Sequence, residues 1–285
     1  MEPEAKSERE PQIGEIVRLA LAEDLGKAGD ITSRAIIPNG ATGAARVISR
    51  QSCTISGMKA AAEVCRQVDA ALAWLPLVSD GGRIPAGAEV ARLEGRIAPI
   101  LAAERTLLNF LSRLSGVATL TAAFVAAVGG TGAAIAATRK TSPGLRLLEK
   151  QAVVHGGGRP HRAGLFDAVL IKDNHIAAAG SVAAAVTRVR SRMGDSVDIE
   201  VEVDTVSQLK EALAAGVGRV LLDNMTPELV KQCAQLAGGR LEIEASGGIG
   251  VESARLFAEA KANIISAGAI TRDAPGIDFS LELEA

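Results

Sequence analysis

The chain has no tyrosine, and its aromatic complement is Trp74 with five phenylalanines in 285 residues. Proteins that grip single-stranded nucleic acid stack bases on aromatic side chains inside a basic groove. A formal charge of −2 supplies no such basic surplus, so nucleic acid is not an expected partner. Cysteine is equally scarce. Cys53, Cys65 and Cys233 are widely spaced and form no CxxC pair, which fits a reducing compartment, buried apolar thiols and no zinc site. No apolar run approaches the ~18 residues of a membrane helix. The first residues (Glu2, Glu4, Lys6, Glu8, Arg9, Glu10) are charged rather than signal-like. A cytoplasmic protein without a membrane partner is expected.

Residues 1 to about 10 carry no apolar period and read as frayed. Ile13, Ile16, Val17, Leu19, Ala20 and Leu21 then recur at helical spacing, and the period stops at Asp24-Leu25-Gly26. Asp30-Ile31-Thr32-Ser33 reads as a cap or a loop. A β-like segment lies within 43–56, a helix covers Lys59 to Val68, and a strand pair brackets 83–87. This mixture predicts an α+β domain over 1–114. The helix that closes it begins near Ala102 and aligns Leu107, Leu108, Leu111 and Leu114. Arg105 then falls near the helix start, where the helix dipole disfavours a cation unless an anion meets it.

After Gly129-Gly130-Thr131-Gly132, short apolar strands alternate with helices, at 133–139, 167–172, 197–203, 219–224, 241–246 and 263–268. Continuous Val/Ile/Leu strands between helices predict a parallel sheet covered on both faces. Gly130-Thr131-Gly132 follows a helix and precedes a strand, the reverse of a dinucleotide-binding turn. The fold class is therefore α/β: an irregular, TIM-like β/α barrel of six or more parallel strands over 115–274, behind an N-terminal α+β domain. The tail 275–285 is assigned a return to the first domain.

Ligands of such barrels bind at the carboxyl ends of the strands. Those ends carry Arg139-Lys140, Lys172, Glu202 with Asp204, Asp223-Asn224, Ser246-Gly247-Gly248 and Ala267-Gly268-Ala269. His161 and Arg162 follow Gly156-Gly157-Gly158 and add to the cations. Surface exposure is the ordinary fate of Lys and Arg, but cations gathered at strand ends beside glycine turns point to a strongly anionic small molecule. Two glycine-rich turns on consecutive strands can present backbone N–H groups to a phosphate. Glu200 and Glu202 share one strand face. Paired buried carboxylates need cations, Mg²⁺ or hydroxyl donors, and an internal ion network with Lys140 and Lys172 is the structural alternative.

Taken in order, Glu23-Asp24-Leu25-Gly26, Gly29 to Ser33, Ala103-Glu104-Arg105-Thr106, Thr138-Arg139-Lys140-Thr141, Gly156-Gly157-Gly158, His161-Arg162, Ile171 to His175, Glu200 to Asp204, Leu222-Asp223-Asn224 and Ser246-Gly247-Gly248 resemble the quinolinate phosphoribosyltransferase family over nearly the whole chain. Pro160 departs from it, standing where the family commonly has Asn and removing a backbone donor before His161. The resemblance implies joining of quinolinate to 5-phosphoribosyl 1-pyrophosphate, with loss of pyrophosphate and CO2, to give nicotinate mononucleotide for NAD biosynthesis. It assigns Arg105, Arg139, His161, Arg162 and Lys172 to quinolinate and Lys140 and Thr141 to pyrophosphate. Glu202 and Asp223 would serve the ribose hydroxyls and Mg²⁺, and Ser246, Gly247, Gly248, Ala267, Gly268 and Ala269 the 5-phosphate. Lys140, Lys172, Glu202 and Asp223 would be catalytic. A homodimer with Arg105 acting in trans is also implied. A paralogous family associated with molybdenum transport lacks the run Ile171 to His175, and a non-catalytic phosphosugar-binding barrel would need only the glycine turns. His155 and His175 are left undecided, a structural role being the more frequent one for a helix-end and a loop histidine.

Overall fold

A computed structural model describes residues 9–284, so most of the stretch read as frayed lies outside the described residues. The chain forms two compact units. One takes the residues up to Leu120 with Ser142–Gly157 and everything from Ala274; the other takes Thr121–Thr141 and Gly158–Asp273.

The first unit begins with α1 (Arg9–Leu25), α2 (Ile31–Ile36), β1 (Thr42–Ser49), β2 (Cys53–Thr54), α3 (Met58–Val68), β3 (Ala73–Pro76), β4 (Arg83–Ile84) and β5 (Glu89–Arg96). Asp30 is a cap, its carboxylate accepting from Ser33 N–H at 2.9 Å. Strand β1 alternates as a half-buried strand should, with Ala45, Val47 and Ser49 fully buried. It pairs antiparallel with β5, Ala45 opposite Leu93. The strand pair expected around 83–87 forms differently. β4 pairs with β2, Cys53 opposite Ile84, while β5 turns to β1 and β3.

Helix α4 (Ile97–Ala127) passes from the first unit into the second. It starts five residues before the expected Ala102, and Pro99 fits its first turn because no intrahelical N–H is needed there. Leu107, Leu111 and Leu114 are buried. By length and composition α4 could cross a membrane, an outcome the sequence reading did not expect, and 56% of its apolar window is buried in the structure. The apolar residues of α4 form core rather than an exposed belt.

After β6 (Ala134–Ala136), α5 (Arg146–His155) rejoins the first unit. The second unit continues with β7 (Val169–Ile171), α6 (Asp173–Ala179), α7 (Val182–Met193), β8 (Ile199–Val203), α8 (Val206–Ala214), β9 (Arg219–Asp223), α9 (Pro227–Ala237), β10 (Glu242–Ser246), α10 (Val251–Glu259), β11 (Ile264–Ser266) and α11 (Ala269–Arg272). The last strand, β12 (Phe279–Glu284), returns to pair with β1, Leu281 opposite Val47. The 114/115 boundary read from the sequence falls inside α4, and residues 142–157 interrupt the barrel segment.

Six parallel strands run in the order β6-β11-β10-β9-β8-β7. Arg159 bridges in parallel to Ala136 on the outer side of β6, in the place of a short extra strand between β6 and β7. Sequential neighbours joined by helices are the wind of a β/α barrel. Alternate residues of the central strands are apolar because both faces are covered: Val201, Val203, Val220 and Leu222 are fully buried, while Glu200, Glu202 and Glu244 lie between apolar neighbours in β8 and β10. Thr205 and Thr226 accept N–H groups from the first turns of α8 and α9 at 3.2 and 3.3 Å, so these helices start at fixed points after their strands.

Candidate active site

The carboxyl ends of the barrel strands surround a cavity of about 340 Å³ lined by Arg139, Lys140, His161, Arg162, Lys172, Glu202, Asp223 and Ser246. Eight side chains spread over more than 100 residues of sequence thus share one wall. The turn residues Gly247, Gly248, Ala267, Gly268 and Ala269, with Thr141, are not part of that wall, which takes Ser246 and Ser266 from the adjoining strand ends. A larger cavity, about 550 Å³, lies in the first unit among Ile16, Leu19, Phe110, Leu114 and Pro143. It is mostly apolar and gathers no cluster of cations.

Positive charge is concentrated and incompletely balanced here. Arg139 Nε is buried with no hydrogen-bond partner among the described residues. Burial, then the neighbouring Arg139, pull the pKa of Arg162 below its usual value. Two guanidiniums that disfavour one another and retain unused donors make a receptor for anions, above all carboxylates, which match their fork geometry. Lys172 Nζ instead pairs with Glu202 Oε2 at 2.5 Å, so part of the ion network considered from sequence is present. Among the described residues the network does not include the Lys140 ammonium. That residue is held by its backbone: its N–H donates to Thr138 Oγ1 at 3.0 Å and its carbonyl accepts from the buried Thr271 hydroxyl at 2.8 Å.

Two glycines matter sterically. A Cβ on Gly268 would lie 2.9 Å from Lys140 Cδ. Gly247, at φ +103°, lies against Asn224, whose backbone nitrogen would be 2.7 Å from an added Cβ. Asn224 itself donates from Nδ2 to Asp223 Oδ2 at 2.6 Å, tying the Asp223 carboxylate to the Ser246-Gly247-Gly248 turn.

His161 sits in the left-handed region at φ +51°. Its Nε2 approaches Glu244 Oε2 at 3.2 Å and Glu200 Oε2 at 3.5 Å. Burial opposes a charge on the ring, but bonds to Glu200 and Glu244 outweigh it and raise the pKa from 6.5 to about 9. Nδ1 accepts the Arg162 N–H at 2.8 Å, which requires an unprotonated Nδ1, so the two observations compete. Giving up one neutral hydrogen bond costs about 1 kcal/mol, whereas a rise of that size corresponds to about 3 kcal/mol. The imidazolium therefore prevails at neutral pH, and the Arg162 contact yields when it forms. Burial pushes the pKa of Glu200 up, whereas His161 draws that of Glu244 down against its own burial.

Glu244, Thr138, Thr271 and Ser266 were missed by sequence reasoning. For Glu244 a signal existed: the two-residue alternation that groups Glu200 with Glu202 also aligns Glu244 with Ser246. The two undecided histidines are structural. His175 Nδ1 accepts the Lys172 N–H at 2.9 Å and pins the start of α6. His155 bonds Ser56 Oγ at 2.8 Å, and burial lowers its pKa. Arg105 corrects an expectation. Because α4 begins at Ile97, Arg105 stands beyond its second turn, where the dipole argument does not apply. Its side chain is exposed and borders a small cavity of the first unit with Asn109, Ser112 and Asp278.

A parallel β/α barrel with clustered cations, paired carboxylates and glycine turns at its strand ends defines a protein that holds small polyanions. Two domain models agree with this class and narrow it: "Quinolinate phosphoribosyl transferase, N-terminal domain" matches residues 30–115 and "Quinolinate phosphoribosyl transferase, C-terminal domain" residues 117–282. The chain belongs to the quinolinate phosphoribosyl transferase family. It is 38% identical to a probable nicotinate-nucleotide pyrophosphorylase [carboxylating] of Bacillus subtilis, over 95% of this chain and 93% of that protein. Identity is also 38% to the chloroplastic nicotinate-nucleotide pyrophosphorylase [carboxylating] of Arabidopsis thaliana, over 94% and 82%. The solved nicotinate-nucleotide pyrophosphorylase of Francisella tularensis superposes with a TM-score of 0.92 at 39% identity, covering 96% of each chain.

Proposed function

We propose that this protein is a quinolinate phosphoribosyltransferase (decarboxylating), joining quinolinate to 5-phosphoribosyl 1-pyrophosphate in pyridine nucleotide biosynthesis. The observation that carries the reading is the convergence of Arg139, His161, Arg162 and Lys172 on one cavity, with Arg139 Nε unpartnered. A planar dicarboxylate offers two acceptor pairs to this group. Its ring nitrogen attacks C1 of the sugar, the bond to pyrophosphate breaks, and the positive charge created on the ring favours loss of the adjacent carboxylate as CO2, a proton replacing it. The protein's part is to align the reactants and to stabilise the separating charges. Lys140 meets the departing pyrophosphate. Glu202 and Asp223 take the ribose hydroxyls, and the turns at Ser246-Gly247-Gly248 and Ala267-Gly268-Ala269 take the 5-phosphate. Lys172 is held ready by Glu202 until a substrate carboxylate competes for it.

Mg²⁺ belongs to the same proposal. Carboxylate oxygens are suitable donors for a hard cation. Glu202 Oε2 is engaged by Lys172 and Asp223 Oδ2 by Asn224, while the second oxygen of each carries no hydrogen bond among the described residues. A bound Mg²⁺ would neutralise the pyrophosphate as it leaves. A cytoplasmic homodimer completes the proposal, with Arg105 of each chain serving the other's site. Its support is the family resemblance and the exposure of Arg105 without an ion pair among the described residues.

The test is chromatographic measurement of nicotinate mononucleotide formed from both substrates by the purified protein. Product dependent on quinolinate and abolished by excess chelator is expected. No product would refute the activity, and undiminished product in chelator would refute the metal.

A further inference from the structure

Two buried carboxylates have no part in the clamp just described. Glu244 is 1% exposed and Glu200 6%; they come from β10 and β8, on either side of β9, and converge on His161 Nε2. Bringing two carboxylates together inside a barrel is costly, and this pair is incompletely satisfied. Glu200 Oε1, both Glu244 oxygens and His161 Nε2 are buried without a hydrogen bond of normal geometry among the described residues. A core ion cluster kept only for stability would be expected to close its bonds.

The three residues could place ligand atoms within 4.8 Å of one another, as for a metal ion. The histidine argues against that use. Whether Nδ1 accepts the Arg162 N–H or carries a second proton, Nε2 is protonated and has no lone pair for a metal. What the arrangement does supply is a pair of carboxylates 3.2 and 3.5 Å from Nε2, with His161 directly followed by Arg162 on the cavity wall.

We propose that Glu200 and Glu244 are positioning residues for the transfer reaction: they grip Nε2–H of His161 from two strands, so that Nδ1 is the ring nitrogen left for a substrate carboxylate and Arg162 is set beside it. Glu244 reaches the cavity lining beside His161 while Glu200 does not, and both act through the imidazole. The proposal rests on the reading of the cavity as a dicarboxylate site. It adds that the cationic clamp is oriented from within the barrel by a pair of acids.

The experiment uses the full-length protein and the variants Glu244→Ala, Glu244→Gln and Glu200→Gln, each checked for folding by its thermal transition. Glu244→Ala should raise the KM for quinolinate about tenfold or more, since the carboxylate 3.2 Å from Nε2 is lost, and leave the KM for 5-phosphoribosyl 1-pyrophosphate within about twofold. Glu244→Gln, whose amide oxygen still accepts from Nε2–H, should recover part of that loss. An equal rise in both KM values, or no rise in either, overturns the proposal.

A second readout does not depend on substrate. With only three histidines in the chain, side-chain ¹⁵N spectra can be assigned, and the His161 signals should show a protonated Nε2 that shifts in Glu244→Ala and Glu200→Gln. Unchanged His161 signals in both variants also overturn the proposal. Wild-type protein with this signature but no turnover of quinolinate would support the glutamate–histidine contact and count against the dicarboxylate reading instead.

Discussion

Replacing Arg113 by Met tests the energetics of the first unit most sharply. Glu149, in α5, is fully buried, and its Oε1 accepts from Arg113 Nε at 2.9 Å and Nη2 at 2.8 Å. Ser142 N–H reaches its other oxygen at 3.1 Å, and Arg113 Nη1 donates to the Ala274 carbonyl at 3.2 Å. The pair therefore holds the first-unit side of two points where the chain changes unit. Methionine keeps the length and apolar volume of the arginine stem but removes its charge and donors. Glu149 would then retain Ser142 N–H as its one hydrogen-bond donor among the described residues. An uncompensated buried carboxylate of this kind costs roughly 3–5 kcal/mol. Removing both charges in Arg113→Met/Glu149→Leu leaves nothing ionic to bury, so the double variant should be more stable than the single one, with a coupling of about 2 kcal/mol or more. The assay is urea denaturation followed by fluorescence of Trp74, the single tryptophan, which lies in β3 and reports on this unit. A loss below about 1 kcal/mol in the single variant, or strictly additive losses, would refute the reasoning.

Raising pH should destabilise the second unit through His161. Its folded pKa of about 9 exceeds the ordinary 6.5, so its contribution is complete below about pH 6.5 and is lost as pH rises through about 9. That loss amounts to about 3 kcal/mol, and urea titrations monitored by far-ultraviolet circular dichroism should show the decline in wild type but not in His161→Gln. Gly247→Ala should abolish turnover and cost roughly 1–3 kcal/mol, because the new Cβ meets Asn224 at φ +103°; a folded variant with normal 5-phosphoribosyl 1-pyrophosphate KM would contradict this. Arg105→Ala and Lys172→Ala homodimers should each be nearly inactive, whereas mixed dimers carry one intact site and should regain part of the activity. Mixed dimers demonstrated by native mass spectrometry without recovered activity would exclude Arg105 acting in trans.

Much of the protein was legible in the chain itself. The alternation of short Val/Ile/Leu-rich runs with helices specified the parallel sheet, because strands covered on both faces are predominantly apolar, with Glu200, Glu202 and Glu244 as the exceptions in β8 and β10. The same pattern located the strand ends, and with them Arg139, Lys172, Glu202, Asp223 and Ser246, since a barrel exposes its binding groups there. Local chemistry also gave the stop of α1 at Gly26 and left Asp30 as a cap in waiting. Tertiary structure decided the rest. The start of α4 at Ile97 rather than Ala102, which removed the dipole argument for Arg105, depends on how the end of β5 runs into the helix. The assignment of 142–157 to the first unit rests on long-range contacts such as the Arg113–Glu149 pair, whose members are 36 positions apart. The partners of His161 were beyond local reading for the same reason: β8 and β10 deliver Glu200 and Glu244 to one imidazole only when the sheet places them on either side of β9. Sequence periodicity reports which face of a strand a residue occupies, but not which residues from other strands it will meet there.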